Sequence, residues 1–385
     1  MTMTFSVSHR DSKSDARTGS LALNHGTVST PCFMPVGTNA TVKAIKNSDL
    51  EAIGVNLILG NTYHLYLRPG LDVIHKAGGL HSFMGWRHNI LTDSGGYQIF
   101  SLSSFQTVED EGVCFKSHLD GSSHKLTPED VLDIQMTLGS DIMMPLDECT
   151  PPGISRNDAE SALVRTTKWL QRTRNEWRRR ESKITGQLFG IMQGNFFKDL
   201  RERSAKEISS LDLPGYAIGG LSVGEEFEVF CDLLHLCASF LPDVKPRYLM
   251  GIGTPRYILE AVEAGIDLFD CVFPTRTARN AQVFSFEGPL SLRNEKYKND
   301  FRPIDEKCEC ETCRNHTRAY LRHLFKAKEI QAAVLATCHN LTWLHRFVQL
   351  IRMAISRNEF SRFKAEFLEH QLVAEYNLPQ GEEQE

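Results

Sequence analysis

The 385-residue sequence lacks the features that mark membrane-spanning and secreted proteins. It has no uninterrupted apolar run near the roughly 18 residues that a membrane span needs, so no membrane partner is expected. Its first ten residues contain no apolar signal stretch, and we expect a cytoplasmic protein with reduced thiols. With 41% hydrophobic residues, the chain can bury a full core, so its ten cysteines are not needed as disulfides.

The fingerprints of two common nucleotide-dependent reactions are also missing. There is no Gly-x-x-x-x-Gly-Lys loop of the kind that cradles transferred phosphates. Gly251-Ile-Gly253 lacks the third glycine of a dinucleotide-binding loop. Neither phosphoryl transfer nor hydride transfer is therefore indicated.

A general excess of positive charge is absent as well. The formal net charge of -5 argues against a basic coat for nucleic acid, so any such contact must come from local clustering. Residues 276–328 provide a cluster, with twelve Lys or Arg against seven Asp or Glu. A polyanion is expected to contact this segment.

Short apolar runs recur along the chain, each followed by a turn and then by a longer helical pattern. This alternation predicts βα units around a parallel sheet, with helices at residues 158–180 and 204–211. A further strand is predicted near residues 21–33, which brings the count close to the eight strands of an α/β (β/α)8 TIM barrel. The other strand-like runs are residues 55–60, 89–93, 141–147, 188–193, 216–220, 247–251 and 266–270.

Polar residues and glycines mark the points where these runs stop. Barrel enzymes build their sites at the C-terminal ends of the strands, whereas an open doubly wound sheet concentrates its site at one crevice. Contributions from six strands therefore favour the closed barrel. The residues concerned are Asp93, Asp147, Gln193, Gly219, Gly220, Gly251 and Asp270.

Two of these carboxylates have informative neighbours. Asp270 ends an apolar run and is followed within nine residues by Arg276 and Arg279, which suggests a reactive group facing a polyanion. Asp93 opens a Ser-Gly-Gly-Tyr segment that could be a mere turn. Its glycines would also allow close backbone approach to a ligand, Tyr97 offers a planar face, and Asp93 could transfer a proton.

Paired carboxylates are suited to exchange at a glycosidic bond. One can attack the sugar carbon while the other handles protons. Asp147, Gln193 and the peptide groups of residues 219–221 would match the edge of a purine, which needs a fixed pattern of donors and acceptors. A carbohydrate-cleaving barrel would also explain two carboxylates, but it would explain neither the basic segment nor the cysteine cluster described next.

Cys308, Cys310 and Cys313 lie within six residues, and Cys338 and His339 follow. Three thiolates and an imidazole make a tetrahedral set suited to structural zinc, without an open coordination position. The spacing alone does not choose between Cys338 and His339 as fourth ligand. A chance cluster of buried thiols is the alternative.

A helix is predicted at residues 317–330, between the cysteines and the histidine. Arg318, Arg322 and Lys326 recur on it at four-residue spacing. This basic stripe could follow phosphates, or it could be a solvated face. Its nearness in sequence to Arg276 and Arg279 leaves the two interpretations evenly balanced.

Taken together, these residues resemble the bacterial tRNA-guanine transglycosylases, also called queuine tRNA-ribosyltransferases. The resemblance covers nearly the whole chain, and the joint occurrence of its motifs is highly specific. The matching segments are Pro35-Val-Gly-Thr-Asn-Ala-Thr-Val-Lys43, Gly60-Asn-Thr-Tyr-His-Leu65, Asp93-Ser-Gly-Gly-Tyr-Gln98, Ser117-His-Leu-Asp-Gly121, Asp147-Glu-Cys-Thr150, Gly219-Gly-Leu-Ser-Val-Gly-Glu225, Asp270-Cys-Val-Phe-Pro-Thr-Arg276 and the cysteine cluster.

The resemblance implies exchange of guanine at wobble position 34 of tRNAs with a GUN anticodon for a 7-deazaguanine, either preQ1 or queuine, in queuosine synthesis. By this likeness Asp270 is the nucleophile at C1′ of the ribose and Asp93 the general acid/base. The residues implied to bind the base are Asp93, Ser94, Gly95, Gly96, Tyr97, Asp147, Gln193, Gly220, Leu221 and Met250. Those implied to hold the RNA are Gly251, Ile252, Gly253, Thr254, Pro255, Arg256, Tyr257, Thr275, Arg276, Thr277, Ala278 and Arg279.

The same likeness implies a homodimer, one structural zinc per chain and a zinc subdomain inserted near the C-terminus. We expect a catalytic barrel over residues 1–285, a zinc subdomain over 286–350, a helical segment completing the barrel over 351–378 and a flexible tail over 379–385. A non-catalytic zinc-containing tRNA-binding subunit of the same family is the alternative, but retention of both Asp93 and Asp270 counts against it. Departures from the family pattern at Pro145, Asn195, Ser222 and Ala281 concern base preference more than chemistry.

Overall fold

The computed structural model of the chain describes residues 3–102, 105–180 and 182–371. The tail predicted at 379–385 and the last part of the segment predicted at 351–378 lie outside the described residues. In the part of the chain that is described, no helix is both long and apolar enough to cross a membrane.

The strands and helices alternate along most of the chain. The strands are β1 (Thr4–Arg10), β2 (Arg17–Leu23), β3 (Gly26–Thr30), β4 (Cys32–Gly37), β5 (Leu57–Gly60), β6 (Asn89–Thr92), β7 (Gln106–Val108), β8 (Val113–Lys116), β9 (Ser123–Leu126), β10 (Ile142–Met143), β11 (Gln187–Met192), β12 (Gly215–Ile218), β13 (Arg247–Leu249), β14 (Leu268–Cys271), β15 (Gln282–Val283) and β16 (Leu290–Ser291). The helices are α1 (Asn47–Ile53), α2 (Thr62–Leu67), α3 (Leu71–Lys76), α4 (Leu80–Met84), α5 (Gly96–Leu102), α6 (Pro128–Leu138), α7 (Arg156–Arg179), α8 (Lys198–Ser209), α9 (Phe227–Phe240), α10 (Pro255–Glu263), α11 (Phe273–Arg279), α12 (Glu311–Asn315), α13 (Arg318–Lys326), α14 (Ile330–Ser356) and α15 (Phe360–Gln371), with a 3-10 turn at Glu295–Tyr297.

Eight parallel strands close into a barrel in the order β4-β5-β6-β10-β11-β12-β13-β14, and β14 pairs back with β4. The predicted (β/α)8 barrel is therefore confirmed. The prediction of its first strand near residues 21–33 was wrong, because the chain reverses at Gly26 and residues 17–30 form the antiparallel pair β2 and β3. The barrel strand is β4, which begins at Cys32.

The sheet β1-β2-β3 covers the N-terminal end of the barrel. Leu21 and Val28 share an apolar cluster with Met34 and Leu57 of the barrel interior. The amide of Asn89, at the start of β6, donates to the carbonyl of Gly26, which fixes the hairpin at this end. The opposite, C-terminal end of the barrel is thus the one available for a site.

The strand period of two decides which side chains point into the barrel. On β14, Leu268 belongs to the interior cluster and Phe269 to the cluster under the outer helices. The alternation therefore turns Asp270 inward, at the C-terminal end of the strand. On β6, Leu91 is interior and Ile90 exterior, so Asp93 is turned inward by the same rule.

A third apolar cluster lies around the cysteines and contains residues from both sides of position 286. Ala278 and Val283 pack there with Leu321 and Leu335. Helix α14 begins in this cluster and continues into the barrel core, where Trp343 and Phe347 are fully buried. The boundary predicted between residues 350 and 351 therefore falls inside one helix that the two units share.

The helix predicted at 317–330 is two helices, α13 and α14, because Lys328 adopts a left-handed conformation at φ 59° between them. The basic stripe also needs correction. Arg318 is 7% exposed and donates to the carbonyls of Pro303 and Ile304, so it holds a loop and faces no solvent. Arg322 likewise contacts the carbonyl of Asn294 and pairs with Glu295.

Candidate active site

The C-terminal ends of the barrel strands bring the predicted polar residues together. Asp93 directly follows β6, and Asp270 lies in β14, on opposite arcs of the barrel wall. Asp147, Gln193 and Gly220 follow β10, β11 and β12, which occupy the arc between them. The polar groups therefore line one mouth of the barrel.

Asp93 is held by two neutral donors from the segment after β5. The side-chain amide of Asn61 donates to Oδ2 at 2.8 Å, and the backbone N–H of Thr62 donates to Oδ1 at 2.8 Å. The Thr62 hydroxyl donates to the backbone carbonyl of Asp93 at 2.6 Å. The carboxylate is thus fixed in position without a counter-ion.

Burial raises the pKa of Asp93 to about 7, and the nearby charges of Asp270 and Asp147 raise it further, against the lowering effect of the Thr62 hydrogen bond. A carboxyl group with a pKa near neutrality can both donate and accept a proton at physiological pH. Asp93 has the properties of a general acid/base.

Asp270 is held through one of its two oxygens. The hydroxyl of Tyr248 donates to Oδ1 at 2.5 Å, and the backbone N–H of Gly251 donates to the same oxygen at 2.9 Å. Burial raises the pKa of Asp270, while these two donors lower it. Among the described residues, Oδ2 has no hydrogen-bond partner, so it is available to a reacting atom.

Asp147 joins two other site residues in a buried network. Its Oδ1 accepts from the Ser94 hydroxyl at 2.8 Å, and its Oδ2 accepts from the Gln193 amide at 2.7 Å. Burial raises the pKa of Asp147. A Cβ on Gly96 would lie 2.5 Å from the Asp147 carbonyl oxygen, so glycine is required for this close approach.

Arg201 holds the loop after β12, a role that the sequence had not indicated. The Arg201 guanidinium donates to the carbonyls of Gly219 at 2.6 Å and Gly220 at 2.8 Å, and its Nε donates to Asn195 at 2.7 Å. Arg201 is fully buried on α8. An arginine at a core position of an amphipathic helix was the only signal available.

Two further sets of residues hold the carboxylates in place, and the sequence had predicted this role for neither set. Asn61 and Thr62 stand inside a segment quoted for the family likeness, but nothing in the sequence showed that they bond Asp93. Tyr248 occupies an interior position of β13, where a hydroxyl is unexpected. Its bond to Asp270 connects residues from two strands that pair side by side.

The side chains expected to contact a base differ in exposure. Tyr97 is 48% exposed, next to the carboxylates in sequence and at the start of α5. Met250 is half-buried after β13, and Leu221 is buried. Gly95 has a φ of 79°, and its Cβ would meet Tyr63, so the backbone passes close to α2 there.

Of the residues expected to hold RNA, the structure exposes Gly251, Arg256 and Arg276, and partly exposes Thr254, Tyr257 and Arg279. The Arg256 guanidinium lies 3.6 Å from the centroid of the Phe227 ring. The hydroxyls of Thr275 and Thr277 donate to backbone carbonyls of their own helix. The remaining members are buried as well: Ile252, Gly253, Pro255 and Ala278.

The cysteine cluster forms a compact group of potential metal ligands. One atom from each of Cys308, Cys310, Cys313 and His339 lies within 4.8 Å of the others. The His339 Nδ1 lies 3.2 Å from the Cys313 sulfur, and its Nε2 lies 2.8 Å from the carbonyl of Phe284. That carbonyl accepts the Nε2 proton and leaves Nδ1 as the ligand atom, so the donor set fits a metal ion.

Cys338 is not part of this group. It is one residue from His339 on α14, and a one-residue step on a helix turns the side chain to another face. Burial raises the pKa of its thiol to about 11, which disfavours the thiolate that binds a metal ion. The structure groups His339, and not Cys338, with the three cysteines.

The fold and the site define a (β/α)8-barrel enzyme with a carboxylate-lined mouth and a Cys3His subdomain. A sequence model of the family described as queuine tRNA-ribosyltransferase matches residues 11–372. The chain belongs to the queuine tRNA-ribosyltransferase family and is therefore a transferase.

Named relatives match over almost their full length. A queuine tRNA-ribosyltransferase of Caldanaerobacter subterraneus is 51% identical over 364 residues, 94% of this chain and 96% of that protein. One of Pelotomaculum thermopropionicum is 50% identical, covering 96% of this chain and 98% of that protein. One of Treponema denticola is 50% identical, with 94% and 96% covered.

Proposed function

We propose that this protein exchanges guanine at wobble position 34 of tRNAs with a GUN anticodon for a 7-deazaguanine. The observation that carries the proposal is the unequal carboxylate pair. Asp93 is held through both oxygens and has a pKa of about 7, whereas Asp270 is held through Oδ1 alone. One is suited to proton transfer and the other to attack on carbon.

In the first step, Oδ2 of Asp270 attacks C1′ of the ribose and the bond from C1′ to guanine breaks. The bonding pair leaves with the base, and the proton of Asp93 neutralises it. Tyr248 and Gly251 hold Oδ1, so the carboxylate needs little reorientation before it attacks. The product is a covalent ester between Asp270 and the RNA.

The second step reverses the first with a different base. Asp93, now ionised, takes the ring proton of the incoming 7-deazaguanine, whose nitrogen then attacks C1′. The bond between Asp270 and C1′ breaks, and the carboxylate of Asp270 is restored. Because Asp93 titrates near neutrality, one residue can serve both directions.

Asp147 and Gln193 are proposed to recognise the base edge. Each Asp147 oxygen already accepts one hydrogen bond and has a lone pair left for a purine N–H. The backbone groups of Gly220 and Leu221 would add further partners, in a loop that Arg201 holds. Tyr97 and Met250 would lie against the two faces of the base.

Arg256, Arg276 and Arg279 are proposed to contact the phosphates around the anticodon. They lie on α10 and α11, the helices that follow β13 and β14 at the mouth of the barrel. Affinity for tRNA should then fall steeply with salt. The basic stripe of α13 is no longer part of this surface, because Arg318 and Arg322 are engaged internally.

The Cys3His group is proposed to hold one structural zinc ion per chain. Four protein ligands fill the tetrahedral sphere and leave no position for substrate, so the ion would tie α12 and α14 together. Elemental analysis should find about one zinc per chain. A homodimer in the cytoplasm is proposed from the family likeness alone, and sedimentation would test the dimer.

The central experiment is incorporation of radiolabelled guanine into a tRNA with a GUN anticodon. We expect incorporation by the wild type and by Asp232→Ala, an exposed control on α9, and none by Asp270→Ala. A tRNA whose wobble guanine is changed should not be labelled. Binding of tRNA without incorporation by the wild type would instead identify a non-catalytic tRNA-binding subunit.

The identity of the natural base needs a separate comparison. Competition between preQ1 and queuine for the labelled site distinguishes the two 7-deazaguanines. Asp147→Asn replaces one acceptor oxygen by a donor and should weaken guanine binding by about 1–3 kcal/mol. An unchanged guanine affinity would remove Asp147 from the base pocket.

A further inference from the structure

A second polar cavity lies outside the barrel wall, between the C-terminal half of α14 and the start of β4. Its volume is about 230 Å³. Its walls include His345, Gln349 and Arg352 from α14, Cys32 and Phe33 from β4, and the turn at Gly54 after α1. None of these residues takes part in the site at the mouth of the barrel.

The cavity contains a guanidinium group without an acidic partner. Arg352 donates from Nη1 to the carbonyl of Pro31 at 2.7 Å. Among the described residues it forms no ion pair, and neither Asp nor Glu lines the cavity. A guanidinium has five N–H donors, and one bond from those of Arg352 is formed within the described residues.

The half-buried Arg352 differs in its partners from two fully buried arginines. Arg17 pairs with the carboxylate of Asp267, and Arg201 donates to four backbone carbonyls. No acidic side chain lines the cavity to offset the charge of Arg352. A charge in such surroundings favours an anion supplied from outside.

The remaining polar groups of the cavity are neutral and rich in donors. The Gln349 amide lies 3.0 Å from the His345 imidazole. Burial and the charge of Arg352 lower the pKa of His345 to about 4, so the ring is neutral at physiological pH. A Cβ on Gly54 would lie 3.2 Å from the same imidazole, so the absence of a side chain there keeps this wall open.

Apolar side chains form the rest of the wall. Phe33, Val55, Leu341 and Val348 are buried and border the same space. A bare phosphate would leave this surface in contact with water, whereas a ligand with a small apolar body would cover it. The cavity volume is several times the roughly 30 Å³ that one water occupies in the liquid.

We propose that this cavity binds a small organic oxyanion, a carboxylate or a phosphate monoester, with its anionic group on Arg352 and its apolar body against Phe33 and Val348. The ligand would connect α14 with β4 and with the turn after α1. Since α14 also carries His339 of the Cys3His group, the bound anion would stabilise the junction of the two units.

Isothermal titration with benzoate, phenyl phosphate and inorganic phosphate tests the proposal on the full-length protein. We expect saturable binding of at least one of the two aromatic anions, more tightly than inorganic phosphate. Whichever of benzoate and phenyl phosphate binds better identifies the preferred anionic group. Absence of saturable binding of both at millimolar concentration would overturn the proposal.

Two variants locate the binding. Arg352→Met removes the charge, and Gln349→Glu places a carboxylate beside Arg352 from an exposed position that tolerates the change. Each should weaken binding at least about tenfold, because a hydrogen bond to a charged group is worth about 1.5–3 kcal/mol. Even if Arg352→Met does not fold, Gln349→Glu still tests the site.

Two arginine variants are the controls. Arg357→Met lies at the exposed end of the same helix, and Arg276→Met lies on the proposed RNA surface. Both should bind the aromatic anions as the wild type does. Loss of binding in Arg276→Met with retention in Gln349→Glu would place the anion at the barrel mouth and overturn the proposal.

Discussion

Asp267 directly precedes β14 and Asp270 lies within it, three residues later, yet the two carboxylates have opposite surroundings. Asp267, just before the start of β14, is fully buried, and the Arg17 guanidinium donates to both of its oxygens, at 3.1 and 2.6 Å. Asp270, at the C-terminal end, accepts only from the neutral hydroxyl of Tyr248 and the N–H of Gly251.

The same contrast holds for the two ends of the barrel as a whole. At the N-terminal end, Asp141 lies between His25 and His81, and its oxygens are 2.7 and 3.3 Å from their ring nitrogens. At the C-terminal end, Asp93 and Asp147 are bonded by amides and hydroxyls. Basic partners thus stabilise one end, while neutral donors at the other leave carboxylates able to react.

The largest expected effect comes from changing Asp270. Asp270→Asn removes the attacking oxygen, so guanine incorporation should fall at least ~10³-fold. Because no cation loses a partner, the free energy of unfolding should not decrease. Incorporation assays and chemical denaturation of the same preparation measure the two quantities. A decrease in the free energy of unfolding as large as the one expected for Asp267→Asn would contradict the difference between the two aspartates.

Asp267→Asn should do the reverse. It removes the carboxylate that the buried Arg17 guanidinium contacts at 2.6 Å and leaves that cation only the exposed Asp243 at 3.8 Å, which costs about 3–5 kcal/mol of folding free energy. Activity per folded molecule should stay close to that of the wild type, because Asp267 is at the far end of the strand. Denaturant titration and active-site counting separate the two effects. A stable but inactive variant would contradict this assignment.

The pH dependence of the free energy of unfolding tests the raised pKa of Asp93. Its folded-state pKa is raised to about 7, against roughly 3.9 in an unfolded chain. The folded state binds more protons in this window, so this contribution to stability is complete below about pH 4 and lost as pH rises through 7. Asp93→Asn should lose less stability than the wild type between pH 5 and 8 in thermal unfolding. Parallel profiles would contradict the raised pKa.

The smallest effect is expected for Tyr248→Phe, which removes one donor from Asp270. The variant should lower kcat about tenfold, as expected for loss of a hydrogen bond to a charged group. Because that bond lowers the pKa of Asp270, the acid limb of the pH profile should move to higher pH. An altered KM for guanine with an unchanged pH profile would indicate a role in base binding instead.

The barrel and the residues at its mouth could be predicted because their signals lie in short stretches of sequence. Each βα unit places its polar residue directly after an apolar run, so Asp93, Asp147 and Gln193 could be found from short windows. Asp270 was found in the same way. The start of the first barrel strand was predicted wrongly, because β4 and the hairpin before it share a similar β-branched and apolar composition.

The supporting groups could not be predicted, because their partners are distant in sequence. Arg201 bonds carbonyls of Gly219 and Gly220, and its core position on an amphipathic helix does not show which groups it bonds. Arg318 presents the opposite case, since its four-residue spacing with Arg322 looked like a surface stripe, yet it is buried against residues 300–304. Only tertiary packing decides between these outcomes.

Isolation of the covalent intermediate tests the role of Asp270 as nucleophile most directly. The protein is incubated with a tRNA bearing a GUN anticodon, without an incoming base, and then denatured and digested for mass spectrometry. The proposed mechanism predicts a nucleotide-bearing peptide with the modification on Asp270, and no such peptide from Asp270→Asn. An adduct on Asp93, or guanine exchange by the wild type without an adduct on Asp270, would contradict it.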